Sequence, residues 1–545
     1  MRSRRCPTAA ACLGLLLVLP LAAHAQSNPA QRGSITFPHY AAVAHAPLQV
    51  TEVAATGASP FPSTCGDTDG TLDTGSEVEP SIAVNPRNAN NFIGVWQQDR
   101  YSNGGSRGLL TGASFDGGAT WTMRSFPNSN CTGGNYERSS DPWVSFGPDG
   151  TAHQVSLSFT GSEDAGTNAV LASRSTDGGL TWSAPAALIQ DGAGFFNDKE
   201  TITADPLDAR FVYAVWDRLA FPGNNGPTMF ARSTDGGLTW EAARPIYNPG
   251  GSNQTIGNLI RVLPDGTLVN YATIVRGANS SLNVIRSTNR GLTWSDPIFI
   301  SPLLAVGASD PTSGQPVRDG SIVPQMAVGP DGTLHVVWQD SRFNQHGDAI
   351  AYSRSTDGGL TWSAPVRINP NPLVAAFTPQ VHVRDDGTIG VTYYDFTSDT
   401  AALPLLTDFW LARSTDGVTW TTTRVSPAFD LTFAPNASGY FLGDYTGLDS
   451  TGSTFVAFYA RANSSTANRT DIVATRLALG TVTLPSLKRG EARNEFTYRA
   501  APLPKEPPSE DLLAASRANV ERAIAARLAR LKVRSSTERP QPDLR

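Results

Sequence analysis

The chain has 545 residues, of which 40% are apolar and only 17% are charged, and it is rich in Gly (50) and Pro (39). This composition indicates a turn-rich globular protein of all-β class, long enough to bury a large core. Residues 26–487 carry a net charge of −14, whereas residues 488–545 carry +5. Such an acidic body argues against nucleic acid or an anionic membrane as the main partner.

The first 25 residues are predicted to be a secretion signal. A basic start, Met1–Arg5, precedes an apolar run over Cys12–Leu19, and Ala23 and Ala25 place small residues where a signal peptidase cleaves. The apolar run is too short to span a bilayer, so a membrane anchor is not expected. We therefore expect cleavage before Gln26 and a mature protein that is secreted or periplasmic.

Two cysteines follow the predicted cleavage point, Cys65 and Cys131, and both lie in loop-like sequence rich in Gly, Asn and Thr. In an oxidising compartment two such residues favour a disulfide, and two unpaired side chains are the alternative. A disulfide would join the segment before the first repeat unit to the loop that follows that unit.

One motif recurs six times and organises the chain. Its frame is Ser-x-Asp-x-Gly-x-Thr-Trp, and successive copies begin 54 to 68 residues apart. The Asp accepts hydrogen bonds from backbone N–H groups ahead of it, Gly supplies a positive φ, and Trp covers the apolar face of the hairpin. Each copy brings one carboxylate, so we predict a structural role for it. The copies are Ser114–Trp121, Ser175–Trp182, Ser233–Trp240, Ser287–Trp294, Ser355–Trp362 and the shorter Ser414–Trp420.

Each motif follows two strands joined by a tight turn, such as Pro-Asp-Gly at 264–266. With the strands beside the motif this makes a four-stranded unit, and a seventh unit, Tyr445–Leu477, lacks the motif. We therefore predict a seven-bladed β-propeller of four-stranded blades over residues 77–487, with six blades as the alternative. Residues 26–76 would form an N-terminal extension and closing strand. Leu48–Val53 could be the outer strand of the last blade, with Thr481–Leu484 as the competing candidate.

The tail, residues 488–545, is predicted to lie apart from the repeats. Pro502–Pro508 is typical of a stiff linker, and Ser509 is a good N-cap for a helix that runs to about Val533. The helix would be amphipathic, and it either packs back on the propeller or serves as a partner-binding appendage. Its apolar stripe comprises Leu513, Val520, Ile524, Leu528 and Leu531.

The repeated motif resembles the Asp-box, or BNR, repeat of bacterial sialidases and their relatives, and the likeness covers residues 77–477. The resemblance implies a propeller whose Asp boxes lie on the face opposite the ligand. It implies less about activity, because many Asp-box propellers are not sialidases. Two departures count against sialic acid hydrolysis. Sialidases of this family are six-bladed, and Glu79-Pro80-Ser81-Ile82 stands where they carry an Arg-Ile-Pro motif.

The face opposite the Asp boxes would be formed by the starts of the first strands and the ends of the second strands. Arginines there suit a carboxylated or heavily hydroxylated sugar, because guanidinium binds carboxylate through two parallel hydrogen bonds. Acidic residues there could act as general acid and base in glycoside cleavage. The predicted catalytic residues are Glu79, Glu200, Asp444 and Tyr445, and the predicted ligand-binding residues are Arg100, Asp141, Lys199, Arg218 and Arg342.

Repetition divides these candidates into two classes. Asp–Arg pairs recur at strand ends, which is typical of architecture, and they could simply tie neighbouring blades together. The unrepeated polar residues are therefore the better functional candidates. Asp67, Asp69 and Asp73 have the oxygen spacing of a calcium loop, which a short polar turn shares, and we expect no other cofactor.

Two functions remain open from the sequence. The first is a secreted, sialidase-like glycoside hydrolase, exo-acting on acidic glycans. The second is a non-catalytic propeller that binds glycans or proteins. A polysaccharide lyase with His382 as its base is a third and more distant reading. The expected partner is a glycan or glycoconjugate. The sialidases that the repeats resemble hold the substrate carboxylate with three arginines, so convergence of three arginines on one point would favour the hydrolase.

Overall fold

The structure is a computed structural model, and it describes residues 48–161, 166–221, 225–277, 279–344, 346–400, 404–479 and 495–532. The predicted signal peptide and the candidate strand Thr481–Leu484 lie outside the described residues. Within those ranges there is no helix that is both long and apolar enough to cross a membrane.

The fold is mostly β, and most of the described strands can be divided into seven groups of four antiparallel strands. Group 1 comprises β2 (Leu72–Val84), β3 (Phe92–Tyr101), β4 (Ser106–Ser114) and β5 (Thr122–Ser125). Group 2 comprises β6 (Arg138–Phe146), β7 (Ala152–Thr160), β8 (Thr167–Ser175) and β9 (Ala186–Asp191). Group 3 comprises β10 (Phe195–Ala204), β11 (Val212–Ala220), β12 (Thr228–Ser233) and β13 (Arg244–Tyr247). Group 4 comprises β14 (Gln254–Val262), β15 (Leu268–Arg276), β16 (Asn279–Ser287) and β17 (Ile298–Pro302).

The remaining groups repeat this order. Group 5 comprises β19 (Gln325–Val328), β20 (Leu334–Asp340), β21 (Ala349–Ser355) and β22 (Val366–Arg367). Group 6 comprises β23 (Ala376–Val383), β24 (Ile389–Asp395), β25 (Leu406–Ser414) and β26 (Thr419–Arg424). Group 7 comprises β29 (Gly447–Thr451), β30 (Thr454–Ala462), β31 (Thr470–Leu479) and β1 (Leu48–Ala54). Outside the groups lie β18 (Val317–Arg318), β27 (Phe429–Asp430), β28 (Tyr440–Phe441), β32 (Glu495–Arg499), β33 (Ala501–Pro502) and one α-helix, α1 (Glu510–Lys532).

The outer strand of group 7 comes from the other end of the chain. β1 pairs antiparallel with β31, so that Val50 lies opposite Leu477 and Ala54 opposite Val473. Glu52 of β1 forms an ion pair with Arg461 of β30. The first described strand therefore occupies the position that the sequence predicts for the outer strand of the last unit.

The repeated turns form the hydrogen bonds expected from their sequence. In the first copy, Asp116 Oδ1 accepts from the backbone N–H groups of Ala119 at 3.0 Å and Thr120 at 2.9 Å. The Thr120 hydroxyl donates to Asp116 Oδ2 at 2.7 Å, and Gly118 N–H donates to the Ser114 hydroxyl at 2.8 Å. These local bonds hold the pKa of Asp116 down, at about 2, so the carboxylate stays ionised and serves the turn.

The tryptophans of the motif also join neighbouring groups. Four of these indoles lie close to an aromatic ring of another group, and they therefore stabilise contacts between groups as well as their own hairpins. The ring pairs, with centroid distances, are Trp121–Phe458 at 5.4 Å, Trp182–Phe126 at 6.4 Å, Trp294–Phe230 at 5.7 Å and Trp420–Tyr352 at 5.3 Å.

A disulfide joins Cys65 to Cys131, as the sequence predicts, with their Cα atoms 5.2 Å apart. Cys65 belongs to the segment between β1 and β2, and Cys131 lies in a short 3-10 helix, Asn130–Thr132, beyond β5. The bond therefore fastens the N-terminal segment to the loop that follows group 1.

The part of the tail that precedes the predicted linker Pro502–Pro508 pairs with the repeat units. β32 pairs antiparallel with β26, and β33 pairs antiparallel with β22. Residues 495–502 therefore run along the outer strands of groups 6 and 5. The helix then follows as predicted, with Leu512 N–H donating to the Ser509 hydroxyl at 3.2 Å as an N-cap. Pairing with an exposed strand edge supplies the backbone hydrogen bonds that a free linker would leave to water.

Candidate functional site

The first strands of groups 1, 2, 3, 4 and 6 each contain a β-bulge at the same place, where the register with the second strand shifts. The leading residue of the bulge has a positive φ in all five groups, at Glu79 (53°), Asp141 (52°), Lys199 (54°), Gly257 (69°) and Thr378 (48°). A residue other than glycine in this conformation costs about 1–3 kcal/mol. The bulge is therefore a feature of the repeat, and in groups 1, 2 and 3 it brings the side chains of Glu79, Asp141 and Lys199 together.

The Lys199 ammonium lies among three carboxylates. Its Nζ is 2.7 Å from Asp444 Oδ2, 2.9 Å from Asp141 Oδ1 and 3.3 Å from Glu79 Oε1. The sequence predicts all four residues as site residues, and the structure brings them together from groups 1, 2 and 3 and from the segment that leads into group 7. With Arg318 they form what we call the Lys199 cluster.

Arg318 is the member of the cluster that the sequence does not reveal. It lies in β18, which pairs with β28, and its Nη2 is 3.0 Å from Asp444 Oδ2. The guanidinium also lies over the Phe441 ring at 4.4 Å. Its Nη1 is buried and has no hydrogen-bond partner among the described residues. A bound molecule with an oxygen acceptor would satisfy this donor.

The environment separates the acidities of the three carboxyl groups. Burial and the neighbouring charges of Asp141 and Asp444 outweigh the attraction of Lys199 and raise the pKa of Glu79 to about 8. Burial alone would also raise the pKa of Asp141 and of Asp444. The cations beside them overcome it, Lys199 for Asp141 and Arg318 with Lys199 for Asp444, and hold both pKa values well below the usual range. At neutral pH Glu79 therefore carries a proton while its two neighbours are ionised.

The Glu79 carboxyl is held by further hydrogen bonds. The Gln97 amide donates to Glu79 Oε2, and the backbone N–H of Asp444 donates to Oε1 at 3.3 Å. Gln97 is itself positioned by Arg100, whose Nη1 donates to Gln97 Oε1 at 2.6 Å. Arg100 is 1% exposed, and besides holding Gln97 its charge opposes the rise in the pKa of Glu79.

A small cavity lies beside the cluster, and the two other predicted catalytic residues line it. Tyr445 packs edge-on against Trp143, with ring centroids 5.3 Å apart, and its hydroxyl donates to the Pro142 carbonyl at 3.2 Å. Both carboxyl oxygens of Glu200 are buried without a hydrogen-bond partner in the described chain, and burial raises the pKa of Glu200 well above its usual range. The cavity has a volume of about 20 Å³, which is room for one water molecule.

The other predicted ligand-binding arginines hold carboxylates of their own. Arg218 Nε is 2.7 Å from Asp191 Oδ2, across the boundary between groups 3 and 2. Arg342 Nε is 2.9 Å from Asp340 Oδ1 within group 5. Both partners, Asp191 and Asp340, lie outside the Lys199 cluster, and these ion pairs have the structural character considered above for repeated strand ends.

The calcium candidates are also engaged elsewhere. Asp67 Oδ2 is 2.9 Å from Arg138 Nη2, and Asp73 Oδ1 is 2.9 Å from Arg469 Nε. Asp69 Oδ2 accepts from the Asn103 amide at 3.3 Å. In the part of the chain that the structure describes, no group of three or more acidic, His or Cys side chains is arranged to hold a metal ion.

A second buried acidic pair lies near the cluster. Asp348 accepts from the backbone N–H groups of Val306 and Gly307 at 2.9 Å, and the Gln339 amide bridges it to Asp319 at 3.0 and 2.9 Å. Burial, with the charge of Asp319, raises the pKa of Asp348 to about 7. This pair anchors the loop from which β18 extends.

The raised pKa of Asp348 predicts a pH-dependent stability. The folded protein keeps a proton that the unfolded chain releases above about pH 4, so the free energy of unfolding falls as pH rises from about 4 to 7, by at most about 1.4 kcal/mol per pH unit for this group. Asp348→Asn should flatten that slope in urea unfolding curves. The control is Asp208→Asn. The Asp208 carboxyl has a lowered pKa in the wild type, so its removal should leave the slope unchanged between pH 4 and 7. Equal slopes for wild type and Asp348→Asn would contradict the raised pKa of Asp348.

Comparison with known proteins gives partial likenesses. No protein-family model matches the chain. A xyloglucanase of Paenibacillus sp. is 28% identical over 274 residues, which are 45% of this chain and 22% of that protein, so the chain spans about a fifth of the relative's length. Among solved structures, a leech intramolecular trans-sialidase aligns with 80% of this chain and 94% of its own, at 11% identity and a TM-score of 0.41. An α-L-arabinanase of Penicillium chrysogenum aligns with 78% and 98%, at 13% identity and a TM-score of 0.39.

Proposed function

We propose that the seven strand groups are the blades of a closed β-propeller. The first strands contact one another in cyclic order, β2 with β6, β6 with β10, and so on to β23 with β29. The return contact of β29 with β2, together with the pairing of β1 with β31, supports closure of the ring. The Lys199 cluster then lies where the first strands converge, which is a common place for a ligand site in folds of this kind.

We further propose that the Lys199 cluster hydrolyses glycosidic bonds. The observation that carries this proposal is the convergence of three buried carboxyl groups on Lys199, at 3.3, 2.9 and 2.7 Å from Nζ, in surroundings that raise the pKa of Glu79 to about 8 and lower those of Asp141 and Asp444. Paired carboxyl groups whose pKa values are pushed apart are typical of a general acid and its ionised partner. The names of the similar xyloglucanase, trans-sialidase and arabinanase agree with action on a glycan.

In this mechanism Glu79 donates its proton to the glycosidic oxygen as the bond to the anomeric carbon breaks. Asp444 attacks or stabilises that carbon, and water then completes the hydrolysis while Glu79 takes a proton back. Both carboxyl groups contact the Lys199 ammonium, at 3.3 and 2.7 Å, so these oxygens are at most about 6 Å apart. This is shorter than the roughly 6.5–9.5 Å of inverting enzymes, and we therefore propose retention of configuration.

The substrate class that we propose is an acidic glycan. The unpartnered Nη1 of Arg318 lies beside Asp444, where it would bind a sugar carboxylate or hydroxyl. We also propose that the protein is exported, on the strength of the predicted signal over residues 1–25. The Cys65–Cys131 disulfide supports this, because such bonds persist mainly in oxidising compartments.

The test is turnover of sialosides, uronic-acid glycans, xyloglucan and arabinan oligosaccharides by wild-type protein, Glu79→Gln and Glu77→Gln. We expect Glu79→Gln to lower kcat by about a hundredfold or more, because the proton donor is lost. Glu77→Gln is the matched control, since Glu77 lies on the same strand, is equally buried and also has a raised pKa, but binds Gln98 outside the cluster. Proton NMR of the first product formed reports the anomer.

A non-catalytic glycan-binding propeller is the second candidate, favoured by the low exposure of the cluster, in which Glu79 is 1% and Asp141 2% exposed. It predicts no turnover of any substrate in the panel, together with binding by calorimetry that Arg318→Ala weakens. Equal turnover by wild type and Glu79→Gln would instead contradict the assignment of the acid.

A further inference from the structure

The tail helix α1 is fixed to the body through a few polar residues of one face. Asn519 is 8% exposed, and its amide donates to the Ala305 carbonyl and to the Ser321 hydroxyl, both at 3.2 Å. One turn earlier, the Ser516 hydroxyl donates to the Leu303 carbonyl at 3.3 Å. Val520, 5% exposed, belongs to the same apolar cluster as Leu303 and Ala305. The helix is therefore hydrogen-bonded to both ends of the segment 303–321.

That segment carries Arg318. Within it, Asp319 Oδ2 accepts from the backbone N–H of Ala308 at 2.7 Å, and Asp319 Oδ1 accepts from that of Ser321 at 3.1 Å. The Asp319 carboxylate thus ties the start of the segment to its end. Asn519 therefore bonds near both ends that Asp319 connects: to Ala305, three residues before Ala308, and to Ser321.

Arg318 reaches the cluster from this tie. It is the residue before Asp319, and its Nε and Nη2 donate to the two oxygens of Asp444 at 3.4 and 3.0 Å. A displacement of the segment would shift this fork relative to Asp444. Bidentate geometry is sensitive to such a shift, because both bonds need the same planar alignment.

The strands that precede helix α1 are paired with the repeat units, and this pairing fixes the position from which the helix begins. β32 and β33 pair with the outer strands of groups 6 and 5, and Glu495 of β32 forms an ion pair with Arg413 of β25. Tyr498 is 5% exposed, and its hydroxyl contacts the Thr422 hydroxyl at 2.7 Å. Only a short stretch separates Pro502 from the helix start at Glu510. The helix then lies against β16 of group 4 and the segment 303–321 that follows that group.

We propose that helix α1 is part of the site, with Asn519 as a positioning residue that holds Arg318 against Asp444. The catalytic consequence rests on the hydrolase function proposed above, whereas the structural link does not. The contact of helix α1 with the segment 303–321 is what we call the brace, and it stabilises the Lys199 cluster from outside the repeats.

The test compares Asn519→Ala and Asn519→Asp with Arg517→Ala in the full mature chain. Arg517 is exposed on the same helix, which makes Arg517→Ala a matched control. We expect faster amide hydrogen exchange of residues 303–321 in both Asn519 variants and unchanged exchange in the control. We also expect kcat to fall about tenfold and KM to rise in both Asn519 variants but not in Arg517→Ala, because a displaced Arg318 loosens its fork with Asp444 and moves the Nη1 that we propose binds the substrate.

The two readouts separate this inference from the proposed function. Faster exchange of residues 303–321 in a protein without turnover would support the brace and contradict the hydrolase. Unchanged exchange in Asn519→Ala and Asn519→Asp would overturn the brace, whatever the activity. Exchange that rises equally throughout the protein would also overturn it, because the helix would then support the whole fold and not this segment.

Discussion

Replacing Lys199 by methionine is expected to lower the free energy of unfolding by about 3–5 kcal/mol near neutral pH, the usual cost of removing one partner from a buried charge cluster. Methionine has a similar length and no charge, so the three carboxyl groups of Glu79, Asp141 and Asp444 would face one another with Arg318 as their remaining partner in the cluster. Lys199 is 9% exposed, and water therefore screens these charges poorly.

The pH dependence of this loss follows from the same charges. In the wild type, Lys199 and Arg318 keep the pKa values of Asp141 and Asp444 low, so the stability from these pairs is present at neutral pH and is lost only as pH falls below about 4. Without Lys199 we expect both pKa values to rise, and protonation then relieves the repulsion in acid. Urea unfolding should show a larger deficit at pH 8 than at pH 5.

Arg210→Met provides the comparison for Lys199→Met. Arg210 pairs with Asp208 at 2.8 Å, but its side chain is 70% exposed, so its removal should cause little measurable change at either pH. A Lys199→Met protein as stable as the wild type at pH 8 would contradict the charge assignment within the cluster.

Removing the disulfide is expected to cost about 4 kcal/mol, from the loss of a crosslink that closes a loop of 66 residues in the unfolded chain. Cys65→Ala combined with Cys131→Ala leaves only small gaps, because both residues are partly exposed. The measurement is urea unfolding of exported protein with and without a reductant.

The reductant is the internal control for this prediction. It should destabilise the wild type to the level of the double variant and should leave the double variant unchanged. Coincident unfolding curves for the two proteins without reductant would show that the crosslink contributes no stability, and thiol labelling of unreduced, denatured wild type should find no reactive cysteine.

The repeat turns show what the sequence predicts well. Asp116 and its counterparts are local features, because each side chain bonds to backbone groups within four residues, and short spacing in the sequence therefore determines the geometry. The four-strand order and the position of β1 follow from the same repetition. The sequence also places Glu79, Asp141, Lys199 and Asp444 among the candidates at the starts of first strands, but only the structure shows that the three carboxyl groups share one ammonium.

Features outside the repeat were not predictable in the same way. Arg318 lies in a long connection with no counterpart in other units, and only its contact with Asp444 reveals it. The left-handed conformation of Glu79, Asp141 and Lys199 has no residue signature either, since none is glycine, although the bulge itself recurs in groups 4 and 6. The pairing of β32 and β33 with groups 6 and 5 was not predicted either, because strand pairing at a sheet edge depends on a partner far along the chain.

β1 cannot pair with β31 until almost the whole chain has been synthesised, so the formation of this pair is delayed. Thr56, just after β1, donates to Asp471 of β31 across 415 residues of sequence. At common rates of synthesis the leading strand is present for roughly 20–80 s before its partner has been made. During that interval its backbone edge is open to other nascent chains. Glu52, in the middle of β1, places a charge on that edge which opposes such association until Arg461 becomes available to neutralise it.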